Sequence, residues 1–277
     1  MTESRSAPTP GSTSLSRSTP GSGIAGRPVG RREVLAGVMG LSAVAAAGPL
    51  LPAPALAASK PVDVIELFTS QGCNSCPPAD EILAGLAGRR DVLALSLNVD
   101  YWDYLGWKDT LASHANTERQ QAYARARGDR RVYTPQAVVN GLQHVVGSDR
   151  GGIEKARAAT RHTLGGQAVD LDVRVAGGNV VISAGRGTRW MKPATIMLAA
   201  YSPRATVAIQ RGENRGREIT YHNVVRAMVA AGRWSGDPAE ATVARARLPQ
   251  GAGIELCAFL QTGTPEAPGG ILAAARL

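Results

Sequence analysis

The chain has 277 residues, 44% of them hydrophobic and 19% charged, with a formal net charge of +9. That is enough apolar material for a buried core, and too little charge density for a self-repelling disordered polymer. The positive excess is divided, +3 in residues 1–57 (five Arg, two Glu) and +6 in the other 220 (26 basic, 20 acidic). It forms neither a dense run nor a stripe interleaved with aromatics, so nucleic acid is not expected as a partner.

Residues 1–30 are rich in Ser, Thr, Pro and Gly without apolar periodicity and are expected to be disordered. Arg31-Arg32 then precedes an apolar stretch, Val34 to Leu51, that Gly48-Pro49 interrupts well short of the ~20 residues a spanning helix needs. Small residues at Ala55 and Ala57 complete what resembles a twin-arginine export signal cleaved after Ala57. The reading is a periplasmic or extracellular protein with no stable membrane span after cleavage.

The mature chain shows two textures. From Pro61 to about Gly165, short apolar runs (Val62–Ser70, Val92–Val99, Ala137–Asn140) alternate with helical segments (Ala79–Gly88, Thr117–Arg127, Ile153–Thr163). Such alternation indicates an α/β layer with a mostly parallel sheet. After Gly165-Gly166 the segments Val169–Val175, Val180–Ala184, Thr195–Tyr201, Ala205–Gln210 and Ile254–Gln261 read as strands, with a helix expected at Tyr221–Ala231. The domain organisation expected is therefore 1–57 disordered n-region and signal peptide, 58–166 an α/β domain, and 167–277 a mainly antiparallel β domain.

Three cysteines remain to be placed. Cys257 lies in an apolar, strand-like run and reads as a buried filler. Cys73 and Cys76 form a C-x-x-C between a strand and a helix, where the helix N-terminus offers partial positive charge and N–H groups to a thiolate. Only one such pair exists, and no second Cys/His pair has ligand spacing, so a structural zinc is not expected. Pro77-Pro78 places the helix start at Pro77 with Cys76 near its N-cap. Asp80 and Glu81 in the next turn oppose thiolate formation, so only modest activation of Cys73 is expected.

About sixty residues on come Val132-Tyr133-Thr134-Pro135-Gln136 and then Gly147-Ser148-Asp149. With the C-x-x-C this resembles the thioredoxin superfamily, in which a cis-proline ahead of a strand faces the redox cysteines. The run Thr-Pro-Gln-x-x-x-Asn-Gly from Thr134 to Gly141, with Gly-Ser-Asp after it, is also similar to glutaredoxins. By that resemblance Thr134 pairs with substrate backbone, with Gln136 beside it, and Ser148-Asp149 holds an amine or carboxylate. Arg150 departs from the acidic residue common in glutaredoxins, so glutathione is not singled out. Glu66 is one residue off the buried carboxylate of thioredoxins, which leaves a surface or ion-paired role equally open.

Further segments tighten the resemblance: Gln71-Gly72-Cys73-Asn74-Ser75-Cys76-Pro77-Pro78-Ala79-Asp80, Asp100-Tyr101-Trp102-Asp103-Tyr104-Leu105-Gly106-Trp107-Lys108-Asp109, Arg211-Gly212-Glu213-Asn214 and Thr220-Tyr221-His222-Asn223-Val224-Val225-Arg226. These look like an exported bacterial thioredoxin-like family of unknown function. The resemblance implies an α/β thioredoxin-like domain followed by a mainly antiparallel β domain, without a cofactor or metal. The aromatic cluster reads two ways, as a substrate platform (Trp102, Tyr104) or as packing between domains. Asp100, Asp103, Asp109 and His114 read as solvated rather than as metal ligands.

The function expected is a thiol–disulfide oxidoreductase acting on exported protein thiols or disulfides or on low-molecular-weight thiols. Cys73 would attack from an exposed position and Cys76 resolve, with Thr134 and Pro135 presenting the substrate strand. Two alternatives stand beside it. One is a non-catalytic binding or scaffold protein with a structural Cys73–Cys76 disulfide; the other, ranked last, is a copper-handling module.

Overall fold

A computed structural model describes residues 62–165, 169–188 and 192–277. The export signal and the boundary expected at 166–167 lie outside them. Asp63–Thr69 (β1) and Val92–Asn98 (β2) pair in parallel and are buried along their whole length, as their near-continuous apolar character dictates. On the other side of β1, Gln136–Val139 (β3) runs antiparallel and turns back into Gln143–Val146 (β4). Three α-helices are described: Pro77–Ala87 (α1), His114–Arg127 (α2) and Arg150–Leu164 (α3).

The later strands are Leu171–Ala176 (β5), Asn179–Ala184 (β6), Ala194–Ala208 (β7), Glu218–Trp234 (β8), Ala239–Ala244 (β9), Glu255–Thr264 (β10) and Ala267–Arg276 (β11). Gly177 and Gly178, both at positive φ, make the two-residue turn joining β5 to β6. β5, β6 and β9 form a three-stranded antiparallel sheet. Everything else joins one mixed sheet in the order β11-β10-β7-β8-β2-β1-β3-β4.

This order corrects the expected fold class. The protein is mostly β, and it is not an α/β thioredoxin-like fold with a separate β domain appended. β8 pairs in parallel with β2 through Ser96 and Val224, so strands from both sequence textures share one sheet. Asn223, at φ +48°, reinforces the junction by donating its Nδ2 to Ala94 O at 2.8 Å. Among the described residues only β1–β2 and β2–β8 pair in parallel; the other pairs are antiparallel.

Two segments differ from their sequence reading for a common reason. The helix expected at Tyr221–Ala231 is the middle of β8, a 17-residue strand paired along its length with the 15-residue β7. Long-range pairing overrides the helical leaning of its alanines. The expected breaks at Ser202–Arg204 do not interrupt β7. β11, with Pro268, Gly269 and Gly270, had no reading in the sequence, and it pairs with β10 through two register shifts.

The core follows the layers. Under α1 and α3, one face of β1 and β2 buries Ile65, Leu67, Leu83, Leu86, Ala94 and Ile153. The opposite face packs Phe68, Leu95 and Leu97 with Tyr123 of α2 and with Tyr201, Phe259 and Ile271 of the later strands. A third cluster fills the space between the two sheets around Trp234.

Candidate functional site

β1 delivers the chain into a tight turn ahead of α1. Cys73 N donates to Ser70 O at 3.1 Å, Gly72 N to Ser70 Oγ at 3.1 Å, and Cys76 N to Cys73 O at 3.2 Å. Cys73 and Cys76 are joined in a disulfide, and Cys76 is the N-cap of α1. Pro77 and Pro78 lack N–H groups, and the next two, of Ala79 and Asp80, both go to Cys76 O. The first four positions of the helix therefore present no free N–H group to a thiolate. Ser75 Oγ, 3.5 Å from Cys73 Sγ, is the nearby polar group that remains. Both cysteines are buried, Cys73 at 2% exposure and Cys76 at 0%. The expectation of an exposed outer sulfur does not hold in this state.

The aromatic segment wraps the turn. Trp107 donates its indole N–H to Gln71 Oε1 at 2.8 Å, and Gln71 N donates to Asp109 Oδ2 at 2.8 Å. Asp109 also accepts from Asn98 Nδ2 and from the N–H groups of Leu111 and Ala112. It is buried and structural rather than solvated, and that burial raises its pKa in spite of these donors. Asp100 is engaged by Thr117 Oγ1 at 2.6 Å and His114 Nδ1 at 2.9 Å. Among the described residues no three His, Cys, Asp or Glu side chains gather as a metal site.

Trp102 brings two expected site segments together. A Cβ on Gly72 would stand 3.0 Å from Trp102 Cβ, so the tryptophan lies directly on the turn that carries Cys73. Its indole N–H donates to Thr134 Oγ1 at 2.8 Å, and the Thr134–Pro135 peptide is cis. Tyr104, 77% exposed, stacks on Trp102 at 6.4 Å between ring centroids. Gly147 N donates to Pro135 O at 2.9 Å, which sets Ser148 and Asp149 beside the same proline. Asp149 caps α3, accepting from Gly152 N at 2.8 Å, while Ser148 is exposed. Gln136 is fully buried; its amide serves Arg131 O and Gln120 and faces no open surface.

Residues from the later strands complete the site. Asn214, buried in the loop between β7 and β8, donates Nδ2 to both Gln71 O and Cys73 O at 2.9 Å. Its neighbour Glu213 accepts from Asn74 N at 3.3 Å. The Arg-Gly-Glu-Asn motif had no assigned role in the sequence, although its polar residues in a loop were a visible signal. Glu66 is ion-paired: Arg119 bonds both its oxygens at 2.6 and 3.0 Å, and Tyr123 donates to it as well. Gln261 of β10 closes this network. Cys257 is fully buried, its thiol pushed up to about 12 by desolvation.

A model of a family described as a protein of unknown function (DUF1223) matches residues 64–261. The chain belongs to that family. This DUF1223 protein is similar to a protein from Agrobacterium tumefaciens known from an X-ray crystal structure, at 38% identity and a TM-score of 0.69, covering 79% of this chain and 96% of that one. It also resembles HBP35 of Porphyromonas gingivalis in fold, at 13% identity and a TM-score of 0.56, covering 79% of this chain and 75% of that one. No curated protein matches it. Among its described residues no helix is long and apolar enough to cross a membrane.

Proposed function

We propose that this DUF1223 protein is an exported thiol–disulfide exchange protein whose redox pair is Cys73 and Cys76. The observation that carries the reading is Trp102, which touches the Cys73 turn on one side and holds Thr134, next to Pro135, on the other. The local likeness to redox centres of the thioredoxin superfamily, a C-x-x-C at a strand–helix junction with a threonine–proline pair nearby, supports the chemistry and not that fold. The exposed ring of Tyr104, stacked on Trp102, offers an apolar surface for an extended protein substrate. A disulfide across a sequence separation of three also contributes little as a staple, about 2 kcal/mol by loop entropy against ~4.7 for a 100-residue loop.

Substrates are exported protein thiols or disulfides, or small thiols. Export follows the twin-arginine route, supported by Arg31-Arg32 ahead of the apolar stretch and by Ala55 and Ala57 at the cleavage positions. The burial of both sulfurs favours a second reading, a binding protein with a structural disulfide. Redox titration of the full chain, followed by tryptophan fluorescence, separates the two. Exchange predicts a potential above about −300 mV, and a structural disulfide one below it.

A further inference from the structure

Beneath the redox turn lies a group of polar atoms with no protein partner. Both oxygens of Asp80 (α1), the hydroxyl of Tyr221 (β8) and Oγ1 of Thr69 (β1) are buried without a hydrogen bond. Buried polar groups are ordinarily paired, so an unpaired carboxyl is the most anomalous of these. Asp80 is 4% exposed and stands one helical turn beyond Cys76. Its N–H donates to Cys76 O at 3.1 Å, and residues four apart on a helix share a face, their Cβ atoms about 5–6 Å apart. The charges that act on it are carboxylates, Asp109 from the loop ahead of α2 and Glu81 on its own helix. Thr69 approaches without reaching hydrogen-bond geometry.

Asp80 was expected to oppose thiolate formation as a negative charge. Burial changes its part. Desolvation, reinforced by the two neighbouring carboxylates, holds its pKa well above the usual carboxylate range, which favours the neutral acid.

We propose that Asp80 is the proton donor and acceptor for Cys76 during thiol–disulfide exchange at the Cys73–Cys76 pair. This rests on the exchange reading above. In the oxidising direction a substrate thiolate attacks Cys73 Sγ, forming a mixed disulfide as the Cys73–Cys76 bond breaks. The electron pair leaves on Cys76 Sγ, which takes the Asp80 proton. A second substrate thiolate then attacks the substrate sulfur and releases Cys73 as a thiolate. The substrate dithiol is oxidised, the protein disulfide is reduced, and Asp80 regains its proton from water. Tyr221 and Thr69 hydroxyls, unpartnered in the oxidised state, are donors available to the carboxylate while it exists. In the reducing direction the carboxylate takes the Cys76 proton.

The test is single-turnover reduction of the oxidised full chain by dithiothreitol across a pH series, read by tryptophan fluorescence, in wild type, Asp80→Asn and Tyr221→Phe. Asp80→Asn should slow reduction by about 100-fold and remove one titration from the pH profile. It should also remove one carboxylic C=O band from the infrared spectrum of the oxidised protein. Tyr221→Phe keeps the carboxyl and should displace that titration, which keeps the test decisive if Asp80→Asn does not fold. Wild-type rates and profiles in both variants, with a reactive wild type, overturn the role of Asp80 alone. A native wild-type disulfide that resists dithiothreitol overturns the exchange reading and this role together.

Discussion

Asn214 Nδ2 donates to the carbonyl oxygen of Cys73 at 2.9 Å from a position 141 residues further along the chain. The same amide nitrogen holds Gln71 O, so one buried side chain ties the loop after β7 to the turn that carries Cys73. With Cys73 at 2% exposure, a nucleophile reaches its sulfur only after that cover shifts. Asn214→Ala should therefore speed disulfide reduction by dithiothreitol while destabilising the fold by about 1–3 kcal/mol, since two carbonyls lose a buried donor. Reduction kinetics and urea denaturation measure the two effects on one protein.

Single cysteine variants should behave asymmetrically. On the exchange reading, Cys76→Ser leaves Cys73 without a resolving partner and should accumulate mixed disulfides, visible on non-reducing gels. Cys73→Ser should capture far fewer. Equal capture by both, or by neither, would point to the structural disulfide.

The Glu66–Arg119 pair is buried on both sides and shared with Tyr123 and Gln261. Arg119→Met strands the carboxylate and should cost about 3–5 kcal/mol in chemical denaturation. Adding Glu66→Leu should recover most of that loss, because an apolar pair of similar volume needs no charge compensation.

Asp80 gives stability a specific pH dependence. Its carboxyl holds a proton in the folded protein to higher pH than in the unfolded chain, where the pKa is about 3.9. Between those two values the folded state binds the extra proton, so this group's contribution declines as pH rises. Asp80→Asn should thus gain stability relative to wild type from about pH 4 upward, by at most ~1.4 kcal/mol per pH unit. Thermal denaturation at pH 4, 5.5 and 7 checks it, and a constant difference would contradict a raised pKa.

Replacing Arg31 and Arg32 together with Lys should block appearance of the mature protein outside the cytoplasm. Normal processing at Ala57 in that variant would rule out the twin-arginine route.

Local chemistry was the legible part of this sequence. Pro77-Pro78 announced where α1 begins, Gly177-Gly178 where β5 turns into β6, and the apolar runs of β1 and β2 their double burial. Partners distant in sequence were not legible. Nothing in Tyr221–Ala231 reveals that β7 lies beside it, so its alanines read as a helix. Nor does the period of β2 reveal that β8 will lie next to it. The same limit applies at the site. Cys73, Cys76 and Pro135 were marked by residue type, whereas the Asn214 tether and the Arg119 partner of Glu66 depend on contacts across more than fifty positions.

The ends of the long sheet bear on the protein's behaviour in crowded surroundings. An open strand edge is a template on which another chain can add, and long flat edges invite aggregation. Here one terminal strand, β4, is only four residues long. The other, β11, carries Pro268, which has no N–H to offer, and its register slips twice against β10. Neither rim of the eight-stranded sheet presents a long regular ladder, so each is a poor template for an added strand.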